Sequence, residues 1–158
     1  MRLKNIKISN YRCFKEAEID FDDHITLVVG KNGAGKTAIL DTIAVSVSTF
    51  LLGIDGGVSR SILKEDARYE FHNLNGTIDP QHQFPVIIET MGDCLNRSDI
   101  KWTRSLNSES GKTTVKDAGE LTGLAKKAQN QIMTGDKSLV LPLISYYGTG
   151  RLLSLIHI

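Results

Sequence analysis

The sequence predicts an α/β fold, a mixed sheet set around one helix with an antiparallel β portion further along the chain. Three observations carry that expectation. The β-rich run ITLVV, residues 25–29, passes through a glycine-rich loop straight into a helix-periodic stretch. Alternating strand-like segments flank it, at 2–8 and 16–22 before and at 85–92 and 99–106 after. A second amphipathic helix is expected over 117–135.

Each element follows from its pattern. In 2–8, Ile6 and Ile8 share one face and Lys7 the other; in EAEIDFD, Ala17, Ile19 and Phe21 oppose Glu16, Glu18, Asp20 and Asp22. ITLVV has no alternation, as expected of a strand buried on both faces. From Lys36 the period changes: Ile39, Leu40, Ile43, Ala44, Val47, Phe50 and Leu51 form one helical stripe, and Gly53 is a natural stop. Its β-branched residues are weak helix formers, so burial has to stabilise it. Residues 53–85 read as a loop-rich insertion, with turn clusters GIDGG, NLNG and DPQHQFP and with His72 and His82 on loops. In the later strand pair, Ile100, Trp102 and Leu106 lie opposite Lys101 and Thr103, which makes Trp102 a core residue. Asp117 and Glu120 form a capping pattern ahead of Leu121, Leu124, Ala125, Ala128 and Ile132. SLVLPLISYYG, 138–148, reads as a last apolar strand that Pro142 moves to an edge or a bulge.

The totals bound the class. At 158 residues the chain suits one domain. With 19 basic and 18 acidic residues it has no global bias toward nucleic acid. Cys13 and Cys94 lie far apart and the four histidines show no ligand spacing, so a metal centre is not indicated and reduced thiols are expected. The opening MRLKNIKISNYR lacks a signal-peptide core, and no apolar run is expected to approach the roughly 20 residues a membrane span needs. The expected setting is cytoplasmic, without a membrane.

The loop carries the chemistry. Gly30, Gly35, Lys36 and Thr37 match Gly-x-x-x-x-Gly-Lys-Ser/Thr, between a strand and a helix as that motif requires. Glycines let successive amides converge on phosphates, and the helix N-terminus adds its positive dipole end. Lys36 is expected to bridge β- and γ-phosphates and Thr37 to ligate Mg²⁺, giving an ATP–Mg²⁺ cradle of Gly30, Lys31, Asn32, Gly33, Ala34, Gly35, Lys36, Thr37 and Ala38. Lys36 and Thr37 are the residues expected to act in catalysis. A second GKTT, at 111–114, has Leu106 where the first glycine belongs and reads as a polar turn.

Ile8, Asn10, Tyr11, Arg12 and Phe14, the loop 30–37, and Leu40 with Asp41 together resemble the N-terminal ATPase lobe of the Rad50/SbcC, SMC and RecF group, ABC-class ATPases that act on DNA. The likeness is strongest over 1–52. Over 86–151, WTRSL and LPLISYYGTGR look like a bacterial branch of AAA-type ATPases, several of them in anti-phage defence. The resemblance implies that Arg12 approaches the phosphates and that Asn32 serves the γ-phosphate or its water. It also implies work on DNA, in repair or in defence, a head-to-head homodimer, and in some members a nuclease partner. A strand-end Arg12 pairing with Glu16 or Glu18 is the plainer alternative. Tyr11 reads either as an adenine platform or as a half-buried aromatic, and Arg151 as a phosphate contact or a loop arginine.

Hydrolysis in this group needs an apolar run ending in Asp-Glu, and a Ser-Gly-Gly signature from the partner head. Neither is in the sequence: Lys64 interrupts the run before Glu65 and Asp66, and SLVLPLISYY has no acids. This chain is therefore expected to be an incomplete head domain, residues 1–152, inactive by itself. Residues 153–158, LSLIHI, are what CTG-TCT-CTT-ATA-CAC-ATC encodes, the mosaic end of a library-preparation transposase, and are expected to be a non-native tail. Two other readings are the ATPase subunit of a membrane transporter, which ISNYRCF and the 53–85 insertion fit less well, and a P-loop module that binds without hydrolysis.

Overall fold

The computed structural model describes residues 1–74, 77–136 and 138–148; Arg151 and the tail 153–158 lie outside them. The element order is β1 (Arg2–Tyr11), β2 (Phe14–Asp20), α1 (Lys36–Ser48), β3 (Tyr69–Leu74), β4 (Thr77–His82), β5 (Val86–Cys94), β6 (Arg97–Leu106) and α2 (Gly119–Met133). Four strands form a sheet in the order β2-β1-β5-β6, and β3-β4 form a separate hairpin. Every described pairing is antiparallel.

Alternation fixes which sheet face is covered. Ile6, Ile8, Val86, Ile88, Ile100, Trp102 and Leu106 are buried on the inner face, while Lys7, Glu89 and Lys101 stay on the outer one. Helix α1 lies on the inner face with Ala38 and Val45 in the same core cluster as Ile6, Ile8, Val86 and Ile88. A second cluster joins Phe50 to Trp102, Ile100, Leu121 and Ala125, so α2 closes the other end. A short 3-10 turn, Thr49–Gly53, continues α1 and packs on α2 so closely that a Cβ at Gly53 would run into the Thr122 carbonyl.

Helix α1 buries Ala44 and, just beyond it, Phe50 as expected, but turns much of the rest of the expected stripe away from the core. Its buried positions include Asp41, Thr42, Ser46 and, at its end, Thr49, whereas Leu40 is 45% exposed and Ile39, Ile43 and Val47 are only partly covered. The reason is the polar content of the sheet opposite. Thr90 Oγ1 donates to Ser46 Oγ at 2.9 Å and Trp102 Nε1 to the Ser46 carbonyl at 3.1 Å. Arg104, 2% exposed, donates to Thr49 Oγ1 at 3.1 Å, and burial lowers its pKa. The Ser46 and Thr49 hydroxyls accept from Thr90 and Arg104, donors that an apolar residue at either position would leave unpaired, while the Trp102 indole takes a backbone carbonyl. The stretch Lys36–Gly53 is long and apolar enough by composition to cross a membrane, contrary to expectation, but half of it is buried in this packing.

Four further expectations need correction. Residues 25–29 form no strand and pair with none among the described residues, and Ile25, Leu27 and Val29 are 82%, 80% and 77% exposed. A two-face-buried strand needs hydrogen-bonded neighbours on both edges, and no described strand pairs with this segment. Residues 138–148 likewise form no strand, with Leu143 95% exposed. The 53–85 region is more ordered than its turn clusters imply. It contains the β3–β4 hairpin, which places His72 and His82 on strands and Pro80 opposite Phe71. A two-stranded hairpin is all edge, so Pro80 costs it little. At α2, Asp117 lies inside a 3-10 turn and Ala118 takes the cap position, so the capping box does not form.

Candidate functional site

The loop between residue 29 and α1 has the backbone its glycines allow. Gly33 and Gly35 sit at φ +82° and +88°, which favours glycine. At Gly35 a Cβ would also stand 2.5 Å from the Phe14 ring and 2.6 Å from Cys13 Sγ, so the β1–β2 turn is packed directly against the loop. Gly35 is the N-cap of α1 and offers no side-chain acceptor, which leaves the first-turn amides without an intrahelical partner. Lys36 folds back across the loop, its Nζ donating to the carbonyls of Gly30 and Lys31 at 2.7 Å each. Thr37 is exposed beside it.

Arg12, Cys13, Asn32, Gly33, Gly35, Lys36, Thr37 and Ala38 line one recess of about 420 Å³. Arg12 reaches it from the turn between β1 and β2 with φ +49°, an uncommon conformation for a long side chain. It does not pair with Glu16 or Glu18. Its NH1 meets Asp41 Oδ2 at 2.6 Å, and its Nε and NH2 both meet Asp66 Oδ1 at 2.8 Å. Arg60 NH2 and the Tyr146 hydroxyl bind the other Asp41 oxygen, at 2.9 and 2.6 Å. Two guanidinium groups thus balance two carboxylates, which are 4% and 5% exposed. Burial alone would lower the Arg12 pKa, but Tyr11, Asp66 and Asp41 outweigh it and raise it. Tyr11 is no adenine platform: it is fully buried, with Arg12 stacked 5.3 Å above its ring, and burial pushes its phenol far up.

The residues expected from sequence therefore fall in one place, save that Gly30, Lys31 and Ala34 form the loop's far side rather than the recess wall. Sequence reasoning misses Asp66, Arg60 and Tyr146. In the sequence Asp66 reads only as part of a failed acidic motif, and no periodicity links position 66 to position 12. Among the described residues no three His, Cys, Asp or Glu side chains cluster as a metal cage. Thr37, with phosphate oxygens and water, is the donor set that suits Mg²⁺, which keeps much of its hydration.

A larger recess, about 520 Å³, lies at the sheet between Asn5, Lys7, Glu18, Glu89, Lys101 and Thr103. Its charges answer one another: Lys7 pairs with Glu18 at 3.2 Å, and Asn5 donates to Glu18 and Asp20. It has no helix end and no array of amides. The smaller recess is the one that has both, together with Lys36 and Arg12 on its wall.

Known proteins similar to this chain can now be set beside its fold. A family model described as an AAA domain matches residues 5–156. The DNA replication and repair protein RecF of Clostridioides difficile is 29% identical over 89 residues, 55% of this chain and 22% of that protein. The DNA double-strand break repair Rad50 ATPase of Archaeoglobus fulgidus is 46% identical over 44 residues, 28% of this chain and 5% of that one. A retron Vc95 probable ATPase of Vibrio cholerae is 23% identical over 157 residues, 98% of this chain and 29% of that protein. The chain thus spans less than a third of the length of these relatives. A solved structure from work on ATP-driven dimerization and DNA-stimulated activation of SMC ATPases superposes with TM-score 0.53 at 16% identity, covering 100% of this chain and 92% of that one. The family-model match over residues 5–156 places the chain in the AAA-domain family, and the RecF, Rad50 and SMC proteins are among those it is similar to.

Proposed function

We propose that the recess holds the phosphates of ATP–Mg²⁺, with Lys36 and Arg12 as its cations, the amides of 33–38 as its donors and Thr37 as the Mg²⁺ ligand. The observation that carries this reading is the meeting of an uncapped helix N-terminus, Lys36 and Arg12 around one open recess. Asn32, on the same wall, is assigned to the terminal phosphate or its water. As part of a longer protein, the head would couple ATP binding and hydrolysis to work on DNA, in repair or in anti-phage defence. The RecF, Rad50 and retron relatives support that range. A head-to-head dimer closed by ATP is supported by the SMC relative. The exposed Ile25, Leu27 and Val29 favour further strands docking on this edge. Two free thiols fit a reducing, cytoplasmic setting.

Titration of the 158-residue chain with MgATP, repeated with EDTA, tests the cradle; saturable binding that weakens when Mg²⁺ is removed is expected. Turnover is not. The sequence has no apolar run ending in Asp-Glu and no Ser-Gly-Gly signature, so no residue is supplied to orient the attacking water. Phosphate release should stay at the protein-free rate. Steady-state release that vanishes with Lys36→Ala would overturn the non-hydrolysing reading of this chain.

A further inference from the structure

We infer that Asp66 is a positioning residue for phosphate recognition, holding Arg12 by its side-on edge so that its remaining N–H groups are kept for a ligand in the recess. The inference rests on the ATP–Mg²⁺ reading of that recess.

Three contacts converge on one short segment. The Arg12 backbone amide donates to the Asp66 carbonyl at 2.7 Å, so the two residues are tied by main chain as well as side chain. Tyr11 bridges to Ala67 and the Arg68 amide donates to the Asn10 carbonyl at 2.9 Å, which lays residues 66–68 alongside the end of β1. Asp66 in turn is locked: its Oδ2 accepts from the Leu63 amide at 3.0 Å, leaving Oδ1 to take Arg12 Nε and NH2. The carboxylate is therefore a fixed post with one oxygen spent on its own turn and the other on Arg12.

A guanidinium has five N–H donors in a rigid plane. Nε, one N–H of NH2 and one of NH1 are committed to Asp66 and Asp41, leaving one on each terminal nitrogen. An arginine free to rotate would lose rotamer entropy on gripping a phosphate; one pinned at its Nε edge has lost it already. Asp41 alone holds a single nitrogen and shares its charge with Arg60, so it fixes the plane less well. The assignment also gives part of the 53–85 stretch a task at the site, although no motif marks it.

A double-mutant cycle tests this on the 158-residue chain, with MgATP affinity as the readout and circular dichroism as the check on folding. Asp66→Asn keeps the shape and removes the charge. It should weaken MgATP binding about tenfold when Arg12 is present, the scale of one charge-assisted hydrogen bond. In an Arg12→Lys background, which has no Nε edge to hold, it should change affinity less than about twofold. A merely structural Asp66 would weaken binding equally in both backgrounds, and that result overturns the inference. If Asp66→Asn does not fold, Asp66→Glu, with its charge kept but its post misplaced, replaces it in the cycle, and the same two outcomes support or overturn the inference. Lys36→Ala runs alongside. Affinity lost with Lys36→Ala but untouched by the Asp66 variant overturns this inference alone; affinity indifferent to Lys36→Ala overturns the nucleotide reading and the inference with it.

Discussion

Lys36→Ala should reduce MgATP affinity at least about a hundredfold while leaving the fold intact. The ammonium already sits across the loop on the Gly30 and Lys31 carbonyls, so it is held where a phosphate would meet it. Charge-assisted contacts are worth roughly 1.5–3 kcal/mol each, and a lysine bridging two phosphates makes at least two. The fold has little stake in that side chain. Its polar partners are two loop carbonyls, and the core beneath starts at Ala38. The thermal midpoint should therefore move by no more than about 3 °C. Calorimetric titration paired with a melting curve checks both halves. A variant that keeps its affinity would remove Lys36 from the site; one that unfolds would mean the loop props up the core.

Trp102→Ala should do the reverse, costing about 3–5 kcal/mol of stability. The indole is 1% exposed, packs among Phe50, Ile100, Leu121 and Ala125, and donates from Nε1 to the Ser46 carbonyl. Truncation leaves a cavity between α1, α2 and the sheet. Native stabilities run to about 5–15 kcal/mol, so this is about a fifth or more of the total. Lys101→Ala, one residue away on the outer face, should stay within about 0.5 kcal/mol. Urea unfolding followed by circular dichroism separates the two. A Trp102 loss below about 1 kcal/mol would mean that the second core cluster does not hold the helices to the sheet.

What can be read in the sequence is whatever the chain settles locally. The loop is legible because its demands fall on adjacent residues: positive φ at Gly33 and Gly35, a lysine opening the helix, a hydroxyl next to it. The strands β1, β2, β5 and β6 are legible because one face of each is more covered than the other, only partly in β2, and alternation records it. Three features are hidden for identifiable reasons. The buried face of α1 is polar, since Thr42, Ser46 and Thr49 stand opposite a sheet that brings Thr90, Trp102 and Arg104 to Ser46 and Thr49 from strands far along the chain. The run 25–29 has the composition of an interior strand, but its exposure depends on what lies beside it, which no local pattern encodes. The β3–β4 hairpin is masked by Pro80 and the Asn and Gly residues around it. Of the candidate site, the residues on the loop are visible and those that steady Arg12 are not. An ion pair between positions 12 and 66 leaves no trace in periodicity.

The claim that most needs testing is that phosphate is bound by residues 30–38 and Arg12 rather than at the larger recess on the sheet. Backbone amide chemical shifts of the labelled chain, recorded through a titration with MgATP, address it directly. Shifts concentrated at Gly33 to Ala38 and at Arg12, with Lys7, Glu18, Glu89 and Lys101 unmoved, are the expected result. Saturable shifts at Lys7, Glu89 and Lys101 with the loop amides unchanged would contradict it.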